Sequence, residues 1–172
     1  MIEIKNVFPE CDVDTLLVEL ILQRGKPMHN KGITKVVNSI ANYNNSSKYL
    51  IGITDTDRFK RDKDNPNLKK FSEIVADKIE AEGLLIIKIP ATNKYLIRIN
   101  PDFEPWLWKL ALECNINPSS SEYGFSSYDE FYKASKRYGL KQEPRLKKFV
   151  NAVVLNNPPA IVTLKIWLEK SN

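Results

Sequence analysis

Apolar residues recur along this chain with two different periods, and the alternation between those periods predicts its elements. Residues 2–8 are rich in Ile, Val and Phe and alternate loosely, which predicts a strand that Pro9-Glu10-Cys11 ends. Asp12 suits the N-cap of a helix over residues 13–24, and Gly25 is placed to stop it. Residues 26–32 are short and polar, with a pattern too weak to assign. Ile33, Val36, Val37, Ile40 and Ala41 fall at helical spacing and predict a second helix over residues 33–43. After a polar turn, Tyr49 to Ile53 form a continuous apolar run that fits a strand at the centre of a sheet. Residues 58–67 are densely charged and interrupted by Asn65-Pro66-Asn67, an irregular loop or a broken helix. Leu68, Phe71, Ile74, Val75 and Ile79 predict a helix over residues 68–82 with Gly83 as its stop. Strands follow over residues 84–89 and 95–99, then a helix over 103–115.

From Pro118 the strand-like runs cease. Residues 128–137, 145–155 and 160–170 read as helices, with Pro144 and Pro158-Pro159 as entry punctuation. The outline is a mostly parallel α/β sheet domain over residues 1–116, flanked by helices, with a C-terminal helical extension over residues 117–172 packed on it.

Composition narrows the class of protein. The 172 residues are 42% hydrophobic and 27% charged, ordinary globular material. No apolar stretch approaches the roughly 20 residues needed to cross a bilayer, and no secretory signal opens the chain. Two cysteines, Cys11 and Cys114, and one histidine, His29, are too few for a disulfide framework or a zinc site. The expectation is a cytoplasmic protein without a membrane partner, its oligomeric state open. The net charge of +5 is moderate but unevenly spread. Lys133, Lys136, Arg137, Lys141, Arg145, Lys147 and Lys148 crowd one segment, and Arg58, Lys60, Arg61, Lys63, Lys69 and Lys70 another. Such fields attract a phosphate-rich partner such as nucleic acid; equally, charge runs of this kind form plain solvated faces.

The candidate chemistry lies where strands end. In open α/β sheets, ligands sit beyond the carboxyl ends of the strands. The central strand stops at Asp55-Thr56-Asp57, and the first strand stops at Glu10. If those strands are parallel neighbours, the three carboxylates converge. Converging carboxylates repel one another and need either a cation or raised pKa values. Oxygen-only ligands suit Mg²⁺, held by one or two carboxylates with substrate phosphate and water completing its shell. Taken singly, Glu10 reads first as a surface acid favouring a helix N-terminus, and Asp-x-Asp reads equally well as a solvated loop.

Taken together, these residues resemble a known family. Glu10-Cys11-Asp12-Val13-Asp14, followed after about 45 residues by Ile53-Thr54-Asp55-Thr56-Asp57-Arg58, is similar to the Toprim domain of topoisomerases, primases and related nucleases. In that family Glu sits after the first strand, often inside Glu-Gly-x-x-Asp, and Asp-x-Asp follows a later strand. Pro101-Asp102-Phe103-Glu104-Pro105-Trp106-Leu107 is similar to a Pro-x-x-Glu-x-Trp-Leu segment of small stand-alone Toprim-like proteins of bacteria and phages. The likeness covers about residues 1–110, and Cys11 stands where the family has glycine. It implies a Toprim-like fold in which Glu10 is the catalytic general acid/base or a metal-linked carboxylate, and Asp55 and Asp57 hold Mg²⁺ or Mn²⁺. Arg58, Lys60, Arg61, Lys136, Arg137, Lys147 and Lys148 are the candidate nucleic-acid contacts. The function implied is metal-dependent hydrolysis of nucleic-acid phosphodiesters, a nuclease-type activity; the alternative is a non-catalytic nucleic-acid-binding or adaptor module of the same fold. Haloacid-dehalogenase phosphatases and nucleotide-sugar transferases also use Asp-x-Asp, the former near the N-terminus and the latter in much longer chains.

Four further residues or groups are ambiguous. Glu104 is a fourth acid that would either join the site or support the helix carrying Trp106 and Trp108. His29 would touch substrate phosphate or sit exposed in a loop. Trp106, Trp108, Tyr123, Phe125, Tyr128, Phe131 and Tyr132 would stack on bases or pack as core. Cys11, with no histidine placed to activate it, reads as packing.

Overall fold

The computed structural model describes residues 3–44, 48–56, 65–74, 82–137 and 143–171. Its centre is a five-stranded sheet of β2 (Val7–Pro9), β4 (Leu50–Asp55), β7 (Lys94–Ile99), β6 (Leu84–Lys88) and β5 (Glu73–Ile74), in that spatial order. β2, β4 and β7 are parallel; β6 runs antiparallel to β7, and β5, antiparallel to β6, points the same way as the parallel strands. A short pair, β1 (Glu3–Ile4) with β3 (Lys26–Pro27), lies to one side. The chain after β3 continues along β2 through Met28 N–H to Val7 O (3.1 Å) and Asn30 N–H to Pro9 O (3.0 Å). The molecule is therefore an α/β protein with a mostly parallel mixed sheet flanked by helices, and among the described residues no helix is long and apolar enough to cross a membrane.

Side-chain alternation along β4 divides the molecule. Ile51 and Ile53 face the larger apolar core, shared with α1 (Asp12–Leu22), α3 (Phe103–Glu113), α4 (Tyr128–Lys136), α5 (Pro144–Asn156) and α6 (Pro159–Glu169). Leu50 faces the smaller core beneath α2 (Ile33–Ala41). Gly52 lies on that second face, where a Cβ would stand 2.5 Å from Ile40 Cδ1 and 2.7 Å from Val36 Cγ1. Glycine is needed because α2 rests directly on the strand.

The tail helices are anchored by aromatic packing. Trp108 of α3 meets Tyr128 and Phe131 of α4 and Phe149 of α5 at ring-centre separations of 5.6, 5.4 and 6.1 Å. Phe131 and Phe149 are fully buried, and burial of each contributes roughly 1.5–3 kcal/mol. Phe125 is likewise fully buried and Tyr123 nearly so, so of the candidate base-stacking aromatics only Tyr132 is exposed, at 43%. Trp106 is buried, its Nε1–H donating to Glu82 O at 3.0 Å.

Three elements differ from the sequence expectation. The first strand is split, because residues 5 and 6 turn and let β1 pair with β3 while β2 pairs with β4. The first helix is capped by Cys11, not Asp12: Asp14 N–H points at the Cys11 thiol (3.5 Å) and Cys11 N–H donates to the Asp14 carboxylate (3.2 Å). Gln23, in the left-handed region at φ 51°, ends it before Gly25. The helix expected to start at Leu68 is instead a 3-10 turn over Leu68–Lys70 followed by β5. Leu68 and Phe71 bury their side chains in the core beneath α2, and Ser72 N–H joins the edge of β6 at Lys88 O (3.2 Å). An i, i+3 apolar pair serves a single tight turn as well as a helix, and an open strand edge settled which formed. Residues 75–81 lie outside the described residues.

Candidate active site at the carboxyl edge of the sheet

Parallel pairing sets the site. Pro9 is opposite Ile53 and Asp55 is opposite Ile99, so the ends of β2, β4 and β7 open on one rim. Glu10 N–H continues the ladder to Ile53 O at 3.0 Å, and Asp55 N–H in return donates to Glu10 Oε2 at 3.3 Å. The convergence expected of Glu10 and Asp55 is present. Asp57, Arg58, Lys60 and Arg61 lie outside the described residues.

Asp55 shares the side of β4 that carries Ile51 and Ile53, so it faces α3. Its Oδ1 accepts from Phe103 N–H at 3.0 Å, in the first turn of that helix. The turn beyond it is pinned by Thr56, whose N–H donates to Ile99 O (2.9 Å) and whose hydroxyl donates to Pro101 O (2.7 Å). Arg98, buried on β7, donates to Thr56 O at 3.2 Å. Burial holds its guanidinium down to about 10.

A cavity of about 310 Å³ opens over this rim, lined among others by Glu10, Asp55, Glu104, His29, Lys136 and Arg137. Glu10, Asp55 and Glu104 are nearly fully buried. Burial, then the charges of Glu10, Asp102 and Glu104, raise the Asp55 carboxyl to about 7, and Lys136 partly opposes the rise. Asp14, behind them on α1, is raised well above the carboxylate range by burial, by Asp55 and by Glu10. Burial also pushes the Cys11 thiol up, with Asp14 adding to it. Such a thiol is a poor nucleophile, in keeping with its capping role.

The tail supplies the opposing charge. Lys136 Nζ lies 2.7 Å from Glu104 Oε1, which also accepts from the Ser135 hydroxyl at 2.8 Å. Burial works against the Lys136 charge, yet the hydrogen bond and charge of Glu104 outweigh it and raise its pKa. Arg137 lines the same cavity. Lys147 and Lys148 do not; both are exposed on α5. His29 also lines the cavity, its Nδ1 3.0 Å from Asp12 Oδ1.

Among the described residues no group of three or more His, Cys, Asp or Glu is arranged to hold a metal ion. The donors that are described fit a hard divalent cation in kind: two buried carboxylates on adjacent strands, and Glu104 Oε2 buried without a hydrogen-bond partner.

Asp14, Ser135 and Arg98 belong to the site or its support without a role expected from the sequence, and Asp12, expected only as a helix cap, joins them. Asp14 has a signal, since it closes the Glu10 to Asp14 motif, and Asp12 lies inside that motif. Ser135 and Arg98 are placed only by packing. No protein-family model, curated protein or solved structure matches the chain.

Proposed function

We propose that this chain is a Toprim-like, Mg²⁺- or Mn²⁺-dependent enzyme that hydrolyses nucleic-acid phosphodiesters. The observation that carries the reading is the hydrogen bond from Asp55 to Glu10 across β2 and β4, inside a cavity that also holds Lys136 and Arg137. Carboxylates buried side by side at like charge cost stability, and a phosphate-directed divalent cation is the occupant that relieves that cost.

Asp55, with Asp57, would hold the cation, which when bound supplies charge stabilisation for the phosphodiester oxygens. Glu10 accepts the proton of the attacking water. Lys136 and Arg137 draw the phosphate to the rim and orient it. The exposed Lys147 and Lys148 hold the more distant backbone.

The test is cleavage of labelled single- and double-stranded DNA and RNA with Mg²⁺, Mn²⁺ or EDTA, for the wild type and Asp55→Asn. Metal-dependent cleavage lost in the variant supports the reading; cleavage indifferent to Asp55 removes the site. A specific observation favours the adaptor alternative: Cys11 fills the glycine position and uses its thiol as a helix cap, while Glu10 and Asp55 each already accept a backbone N–H. That reading predicts nucleic-acid affinity that falls steeply with salt and ignores metal.

A further inference from the structure

The loop after β3 brings one more proton-handling group to the cavity. His29 is flanked by Met28 and Asn30, whose N–H groups bond to β2, and Gly32 N–H reaches Glu10 O at 3.3 Å. The loop is thus tied to the strand that carries Glu10. Asp12, the first residue of α1, holds His29 Nδ1 at 3.0 Å, and the imidazole is 23% exposed. A carboxylate only accepts hydrogen bonds, so Nδ1 is the donor and Nε2 is left for another partner. Asp12 sits there because Cys11 took the capping role. The pair repeats a general device, a carboxylate fixing the tautomer and orientation of an imidazole that moves a proton.

We infer that His29, positioned by Asp12, donates the proton to the leaving oxygen when a phosphodiester is hydrolysed in this cavity. The inference rests on the proposed activity and adds its second proton-transfer group. Water oxygen bonds to phosphorus and gives its proton to Glu10. The bond from phosphorus to the leaving oxygen breaks with its electron pair on oxygen, and that oxygen takes the proton from His29 Nε2. Exchange with solvent then deprotonates Glu10 and reprotonates His29. Asp12 touches no reacting atom and is a positioning residue.

The experiment compares two substrates for wild type, His29→Gln and Asp12→Asn. One is an oligonucleotide, whose leaving alkoxide needs a proton; the other is thymidine 5′-(p-nitrophenyl phosphate), whose p-nitrophenolate departs without one. His29→Gln should lower turnover of the oligonucleotide by about 10²-fold or more and leave the p-nitrophenyl ester within a few-fold of wild type. Asp12→Asn should show the same selectivity with a smaller loss. Equal loss on both substrates, or no loss on the oligonucleotide, overturns the role of His29 while leaving the proposed activity standing. A wild type that cleaves neither substrate overturns the activity and the inference with it. His29 is the chain's single histidine, so its imidazole C–H signals in the proton NMR spectrum need no assignment. Mn²⁺ should broaden them in the wild type and not in Asp55→Asn; in a wild type that cleaves with Mn²⁺, signals that stay sharp place His29 away from the cation and overturn the inference, while sharp signals in a wild type that does not cleave overturn the activity with it.

Discussion

The two walls of the cavity are built by different means. The acidic wall is local: β2 and β4 pair in parallel, β4 ends at Asp55, Glu10 directly follows β2, and the ladder itself sets Asp55 N–H against Glu10 Oε2. The cationic wall is remote. Lys136 and Arg137 stand at the end of α4, some eighty residues further along, and reach the rim because Trp108, Phe131 and Phe149 lock α4 onto α3 and α5. The first wall stores like-charge repulsion and the second partly relieves it. A site of this kind is incomplete without its helical tail, since the sheet alone holds only the acids that repel.

The largest expected effect is on the acidic wall. Asp55→Asn should lower metal-dependent cleavage by about 10²-fold or more. It should also change how stability responds to pH. The folded state raises Asp55 to about 7 from its ordinary 3.8. Between those values the folded chain holds a proton that the unfolded chain has lost. This contribution is complete below about pH 4 and disappears as pH rises through about 7. Without metal, the wild type should therefore lose on the order of 2–4 kcal/mol between about pH 4 and about pH 8 relative to the variant, checked by urea unfolding at both values.

Next comes the cationic wall. Lys136→Met leaves Glu104, 2% exposed, without its cation. Removing one partner of a fully buried pair costs about 3–5 kcal/mol. Because Lys136 is itself 40% exposed, a loss nearer about 2 kcal/mol is expected, again by urea unfolding. Asp55 should then titrate higher still, because Lys136 lowers it in the wild type.

A smaller effect tests what holds α4 in place. Glu130 accepts from Ser126 N–H (2.9 Å) and from Arg145 (2.9 Å), joining α4 to α5. These hydrogen bonds, the Ser126 backbone first, hold its carboxyl down at about 2. A depressed acid stabilises the fold above its ordinary value of 4.5 and loses that contribution as pH falls toward 2. Glu130→Gln should melt below the wild type at neutral pH, and the gap should close on acidification through that window. The smallest effect belongs to α5. Lys147→Gln with Lys148→Gln should leave metal dependence intact, and should lower the slope of log affinity for nucleic acid against log salt by about 1–2. If that pair proved as damaging to cleavage as Lys136→Met, the division between rim and distant contacts would be wrong.

The same contrast explains what could be read from the sequence. The acidic wall was legible because strand endings are written locally: an apolar run over residues 49–53 stops at Asp55, another stops at Glu10, and parallel pairing does the rest. Lys136 and Arg137 were visible as charge but not as neighbours of Glu104, since nothing local specifies that α4 returns to the sheet edge. Asp12 suits a cap because Asp caps helices well. Cys11, one residue earlier, had the extended backbone instead, and Asp12 was released to His29. The pattern from Leu68 onward misled for a related reason: two apolar residues three apart satisfy a turn and a helix alike, and only the open edge of β6 decided between them.

Metal-linked stability of the acidic wall is the most direct probe of whether that repulsion is relieved by a cation. Thermal unfolding at about pH 8 should be followed with millimolar Mg²⁺, and with EDTA, for the wild type and Asp55→Asn. Ligand linkage of about 1–2 kcal/mol should raise the wild-type midpoint by roughly 2–8 °C and leave the variant unmoved. A wild-type midpoint indifferent to Mg²⁺, or an equal rise in both proteins, would contradict a cation held by Asp55.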